Sequence, residues 1–260
     1  MEKMILWGVD QGIGRLTFNR PEHANSLGLA SRADMLEGIK RMTEPDVRVV
    51  VITGKGKFFN AGGDISEFLA NQGKLDQLID EILQFAHPVF YTLATLPVPV
   101  ISAVNGPLGG AGIGFALCAD FVLASDTAKL RGGYCGIALS PDMGSSYYLT
   151  RRVGAAKAKE IFMLNRALSA QECLRLGIVD QVHPAVKLAA AVDGLAQELA
   201  NGPTASFGRV KQLCDSAYLH DLKLHLDLEH QLLILSARST DCKEGIASFI
   251  ERRVPKFSGL

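Results

Sequence analysis

Residues Val98–Asp120 read VPVISAVNGPLGGAGIGFALCAD, and the fold is decided in this stretch. Val98–Val104 is a short apolar run rich in β-branched residues, the pattern of a strand buried on both faces. Asn105-Gly106-Pro107 ends it with turn chemistry. Gly109, Gly110, Gly112 and Gly114 then put four glycines within six positions, followed by an apolar helical run to Asp120. A strand that empties through glycines into a helix leaves backbone N–H groups unpaired at the helix start. Glycines also let a ligand approach those groups closely. The chemistry is expected here.

The rest of the chain is read outward from that unit. Val47–Thr53 is a second buried strand, and it also runs into a glycine-rich loop, Gly54–Ile65 (GKGKFFNAGGDI). Upstream, Met4–Val9 and Ile13–Phe18 flank Asp10-Gln11-Gly12 as a hairpin. Asn25 or Ser26 is placed to cap a helix in which Leu29, Ala33, Leu36 and Ile39 recur at helical spacing. Residues 65–94 have a helical pattern, with interruptions expected near Gly73 and at Pro88. Phe121–Ala124 is a further strand, and 130–141 is irregular. A helix is expected from Asp142–Gly144 to Arg152. Beyond Gly154 the pattern is helical (155–165, 169–176, 184–201, 203–219 and 221–237), with one short strand at 179–182. Residues 222–235 are apolar on more than one face, so a second surface is expected to cover them. The division expected is a core over 1–198 and a helical region over 199–260.

Composition excludes several classes. The 260 residues include 48% hydrophobic residues and carry a formal net charge of zero, so no global field draws the chain to nucleic acid or an anionic membrane. No apolar stretch is long enough to span a bilayer. The N-terminus lacks a signal peptide's apolar core. Five cysteines without a CxxC pair argue against a disulfide framework, and no metal-ligand spacing occurs. A cytoplasmic globular protein is expected. Phe115 stands where a dinucleotide fingerprint requires a small residue, and P-loop, HExxH and GxSxG sequences are absent.

Taken together, GKGKFFNAGGDI, NGPLGGAGIG, the Pro141–Ser145 stretch PDMGS and the terminal FIERRVPKF resemble the crotonase (enoyl-CoA hydratase/isomerase) superfamily. The similarity runs in order from NRPEHANSL (residues 19–27) to the C-terminus. It implies an α/β spiral of strand–strand–helix units with C-terminal helices that form a trimer or a dimer of trimers. It also implies an acyl-CoA thioester substrate, with coenzyme A as part of the substrate and no separate cofactor or metal. By motif position, the resemblance assigns two backbone N–H groups, those of Ala61 and Ala111, to the thioester oxygen. It assigns substrate binding to Ala24, Ser26, Gly62, Gly63, Asp64, Ile65, Gly110, Tyr134 and Lys256. Removing a proton α to a thioester collects charge on that oxygen. One fixed N–H donor in a dry site is worth about 3 kcal/mol of barrier.

Hydratases of the superfamily activate water with two glutamates, expected at positions 114 and 134; this chain has Gly114 and Tyr134. One acid remains, Asp142, immediately after Pro141, as in several enoyl-CoA isomerases. A single base suits double-bond migration through an enolate. Asp142 also has a second reading, as the N-cap of the following helix, which would lower its pKa. His87 and Glu67 are lesser candidates for the pocket: a surface or satisfied core histidine is the favoured reading of His87, and a solvated helix face is at least as good a reading of Glu67. Asp64 reads as a loop or cap residue. The favoured reaction is enoyl-CoA isomerisation. The alternatives are hydration, thioester hydrolysis or C–C cleavage through the same enolate, and non-catalytic acyl-CoA binding.

Overall fold

The computed structural model describes residues 2–259. The hairpin forms as expected: β1 (Ile5–Asp10) pairs antiparallel with β2 (Ile13–Phe18). From β2 the sheet continues in parallel through β3 (Val49–Gly54), β4 (Val100–Val104), β6 (Phe121–Ser125) and β9 (Gln181–His183). A second, smaller sheet joins β5 (Leu108–Gly109), β7 (Lys129–Arg131) and β8 (Leu168–Ser169). A parallel bridge between Asn60 and Leu108 adds the loop after β3 to its edge. Strand, short strand, helix therefore recurs around the molecule.

Side chains alternate across the main sheet, as strand geometry requires. Val50, Ile52, Val100 and Val104 enter the larger core, with α1 (Arg32–Met42), α3 (Leu75–Ala94), α4 (Ala111–Leu117) and α5 (Ser145–Leu164). Val49, Val51, Ile101 and Ala103 face the other way, onto Leu188, Val192 and Ala196 of α7 (Ala185–Ala200). Both faces are covered. That is why these strands read as unbroken apolar runs rather than as alternations.

Several local expectations are corrected. Asn25 and Ser26 cap no helix. Asn25 adopts a left-handed backbone, and its carboxamide accepts from Arg20 N–H while donating to the Lys55 and Phe58 carbonyls. It ties down the loop that leaves β3, and α1 begins only after a 3-10 turn at Leu29–Ser31. Pro88 does not break α3, which runs through it. The ring is exposed, so water can satisfy the carbonyl its missing N–H leaves unpaired. The break near Gly73 is real: α2 (Ile65–Ala70) ends before a 3-10 turn at Gln72–Lys74. The break expected at Gly154 is also real: its backbone is non-helical (φ 77°, ψ 158°), so the helix expected up to Arg152 and the one expected from Ala155 are two segments of α5 that meet in a kink.

The C-terminal part holds α6 (Ala170–Arg175), α8 (Thr204–Ser216), α9 (Leu222–Ala237) and α10 (Thr240–Glu251). Sequence periodicity does not single out α10, which starts on a cap: Ser239 Oγ accepts from Cys242 N–H at 3.0 Å. In α9 only Leu232 is buried, and Leu222, Leu224, Leu226 and Leu233 are exposed. No helix among the described residues is long and apolar enough to cross a membrane.

Candidate active site

The glycine-rich loop after β3, the turn into α4, one face of α3 and the segment 133–143 enclose a cavity of about 670 Å³. Its wall on α3 is Ile79, Ile82, Leu83 and Ala86, at the i, i+3, i+4, i+7 spacing of a single helical face. Phe115 adds to the apolar wall. Ring pairs hold it edge-to-face against Phe18 (5.3 Å) and Phe90 (5.7 Å). The helical region 66–95 is thus a wall of the pocket, as the sequence reading expected. The C-terminal helices do not line it.

Two loops bring backbone donors to this cavity. Ala111 is the first residue of α4, and its N–H has no hydrogen bond to the protein among the described residues, as the start of a helix dictates. Gly110 before it has φ 54° and ψ −135°, a conformation that only glycine adopts readily. The expectation for Ala61 is corrected. Its N–H donates to the Ala24 carbonyl at 3.0 Å and is not available to a ligand. The N–H of Gly62 is bonded as well, to Asn60 Oδ1 at 2.8 Å. Of the three successive N–H groups of Ala61, Gly62 and Gly63, that of Gly63 makes no hydrogen bond to the protein among the described residues, and Gly63 lines the cavity. The loops touch: a Cβ added to Gly62 would stand 3.0 Å from Ala111 N.

Asp142 also lines the cavity and, among the described residues, it is the one carboxylate that does. It does not cap α5. Gly144 occupies that position in a left-handed conformation, with no side-chain cap. The Asp142 carboxylate instead accepts from Tyr134 Oη at 2.6 Å. Burial raises its pKa above the ordinary carboxylate value, partly opposed by the Tyr134 hydrogen bond and by the nearby charge of His87. The cap reading had implied the opposite shift. Burial, with Asp142 beside it, pushes the Tyr134 hydroxyl above its usual pKa, so it remains a donor. His87, on α3, shares the cavity wall.

The remaining residues separate into wall and scaffold. Gly62, Ile65, Gly110 and Tyr134 line the cavity. Asp64 does not. It caps α2 through Ser66 and Glu67 N–H and pairs with Arg20 at 2.8 Å. Burial alone would raise its pKa, but Arg20 and those N–H groups hold it below the ordinary value. Ala24 and Ser26 sit behind the wall, their carbonyls taken by Ala61 N–H and the Arg20 guanidinium; Leu27 and Gly28 form the surface there. Glu67 turns back, accepting from Leu29 N–H at 3.2 Å. Lys256 lies away from the cavity wall, its N–H on Glu244. Sequence reasoning passed over Ser145, which is buried beside Tyr134. No three His, Cys, Asp or Glu residues among those described are grouped to hold a metal.

Position 114 is closed to any side chain. A Cβ there would fall 1.8 Å from the Met143 carbonyl oxygen and 3.3 Å from Ser145 N. Gly114→Ala is therefore expected to destabilise the protein by about 1–3 kcal/mol or more, read as a lower midpoint in thermal denaturation. An unchanged midpoint would mean that the 142–145 turn yields freely.

The sequence matches the enoyl-CoA hydratase/isomerase family over residues 8–259. The chain belongs to that family. It is 36% identical over 261 residues, covering all of both chains, to the 1,2-epoxyphenylacetyl-CoA isomerase of Escherichia coli. It is 32% identical, over 99% of this chain and 98% of the relative, to a trans-2-decenoyl-[acyl-carrier-protein] isomerase of Streptococcus mutans. The crystal structure of an enoyl-CoA hydratase from Polaromonas sp. JS666 superposes with a TM-score of 0.91 at 31% identity, covering 97% of this chain and 99% of that one. The crotonase fold, with its strand–strand–helix units and C-terminal helices, is thus established. Family members named for different reactions share it, so the reaction has to be argued from the side chains at the cavity.

Proposed function

We propose that this member of the enoyl-CoA hydratase/isomerase family moves the double bond of an enoyl-CoA, with Asp142 as the single base. The observation that carries the proposal is a cavity with one carboxylate and with position 114 sterically closed. Adding water across a double bond calls for groups that hold and activate that water, and a pair of acids does this in the hydratases. Here Gly114 and Tyr134 stand at the two stations. One carboxylate suffices for isomerisation. It takes a proton from C2 of a 3-enoyl thioester, the electrons move to the thioester oxygen, and the carboxyl so formed, free to exchange its proton with solvent, returns one at C4. The oxygen of the enolate would be received by the N–H groups of Ala111 and Gly63, preorganised donors in an apolar enclosure. The raised pKa of Asp142 favours this role, because a base nearer neutrality takes and releases a proton more readily.

The apolar stripe of α3 with Phe115 suits a hydrocarbon acyl group. Coenzyme A would then leave the cavity past Ile65, with Ala24, Ser26 and Asp64 behind that edge. The exposed leucines of α9 support association of copies into a trimer or a dimer of trimers, and a contact of Lys256 with coenzyme A would be made across such an interface.

The test offers the purified protein a 3-enoyl-CoA and a 2-enoyl-CoA of medium length in deuterated water, followed by mass spectrometry. The expected result is interconversion of the two, with deuterium uptake and no gain of water. A product heavier by one water would overturn the isomerase reading in favour of hydration.

A further inference from the structure

Behind Asp142 lies a run of hydrogen bonds that the proposed proton transfer does not itself use. Gly114 N–H donates to Ser145 Oγ at 3.2 Å. Ser145 Oγ lies 3.0 Å from Tyr134 Oη, and Tyr134 Oη donates to Asp142 Oδ1 at 2.6 Å. Tyrosine has one proton and an ionised carboxylate can only accept, so that proton points at Asp142 and the tyrosine oxygen is left to accept from Ser145. The Gly110 carbonyl, 3.2 Å from Ser145 Oγ, is a second acceptor for the single Ser145 proton, which is shared between it and the Tyr134 oxygen. Tyr134 and Ser145 are both buried, and the Tyr134 ring packs edge-to-face on Phe162 at 6.1 Å. The donors form one line that starts in the helix whose first N–H, at Ala111, faces the cavity.

We infer that Tyr134, backed by Ser145, is the positioning residue for Asp142: it holds Oδ1, leaving Oδ2 as the oxygen that carries the proton between C2 and C4. This rests on the reading of Asp142 as the base. Oδ2 has no hydrogen bond to the protein among the described residues. A carboxylate fixed at one oxygen keeps a constant direction for the other, and reach from C2 to C4 requires that constancy. Aligned hydrogen bonds in a poorly solvated site reinforce one another. The turn that carries Asp142 is itself constrained, with Met143 (φ 45°) and Gly144 (φ 68°) both left-handed and the Met143 carbonyl set against Gly114. The base is thus anchored through its backbone by α4 and through its side chain by Tyr134. The titratable groups that face Asp142 are Tyr134 from the 134–137 turn and His87 from α3; its neighbours on α4 and α5, Gly110, Gly114 and Ser145, are uncharged.

The test compares wild type, Tyr134→Phe, Ser145→Ala and Asp142→Asn on the 3-enoyl-CoA substrate across pH. Tyr134→Phe is expected to lower kcat about 10- to 100-fold with KM little changed, because one hydrogen bond to a charged group is lost. The acid limb of its profile should move to higher pH by about one unit, since the hydrogen bond favours the ionised form. Ser145→Ala should shift the limb in the same direction by less, and it serves as the second variant if Tyr134→Phe folds poorly. An unmoved acid limb in both variants, with Asp142→Asn inactive, would overturn the positioning role and leave the base intact. Full activity in Asp142→Asn would overturn the base itself, a different outcome from the first.

Discussion

Asp142→Asn is expected to lower kcat by about 10²- to 10⁴-fold, with KM for the enoyl thioester little changed. The substitution keeps the shape of the side chain. Its carbonyl oxygen can still accept from Tyr134, so the cavity wall stays as it was and substrate binding should persist. Only the ability to take a proton is lost. Stability should move the other way, because burial raises the Asp142 pKa in the folded protein above its unfolded value. The native state therefore binds that proton more tightly than the unfolded chain. This contribution to stability is complete below the unfolded pKa and is lost as pH rises through the folded value. Near pH 7 the wild type holds a partly desolvated charge that the asparagine variant lacks. The variant should accordingly melt at the same temperature or higher at neutral pH, and its advantage should shrink on acidification. Turnover assays and thermal denaturation at two pH values check both halves. A variant that loses stability and keeps its turnover would make Asp142 a scaffold residue.

Ala111→Pro is expected to cost about 10²- to 10³-fold in kcat, the effect of removing one oxyanion donor. Proline is acceptable at the first position of a helix, where the N–H has no intrahelical partner, so the backbone of α4 can tolerate it. The ring does approach Gly62, and a melting curve must accompany the assay. Ala111→Gly is the matched control: it keeps the N–H and should keep most of the activity. Substantial turnover in a well-folded proline variant would show that the enolate oxygen is stabilised elsewhere.

The parts of the fold that the sequence made legible are those governed by local chemistry. Val49–Gly54 and Val100–Val104 are strands because unbroken β-branched runs have few other uses, and both end in glycine-rich loops as read. The hairpin around Gln11-Gly12 follows from turn residues with positive φ. What was missed depends on partners distant in the chain. Which of three successive N–H groups in Ala61-Gly62-Gly63 stays free is decided by the Ala24 carbonyl and the Asn60 side chain. No motif spacing contains that information. Asn25 looked like a helix cap because capping and loop-tying use the same carboxamide; residues 55 and 58 decided between them. Likewise Asp142 was equally legible as a cap or as a base. The choice turned on Tyr134, eight residues away across an irregular segment, whose hydroxyl takes the carboxylate out of reach of a capping geometry.

The contact between Gly114 and the Met143 carbonyl has a historical consequence. A lineage that acquires a glutamate at position 114 from this ancestor must first move the Met143 carbonyl oxygen, which lies only 1.8 Å from where the new Cβ would stand. The turn that would have to retreat is the one carrying Asp142, so the step toward a two-acid cavity begins by displacing the carboxylate already there. Variation along the α3 stripe that lines the cavity meets no such barrier. Among descendants of this chain, new substrates should therefore arise more readily than new reactions.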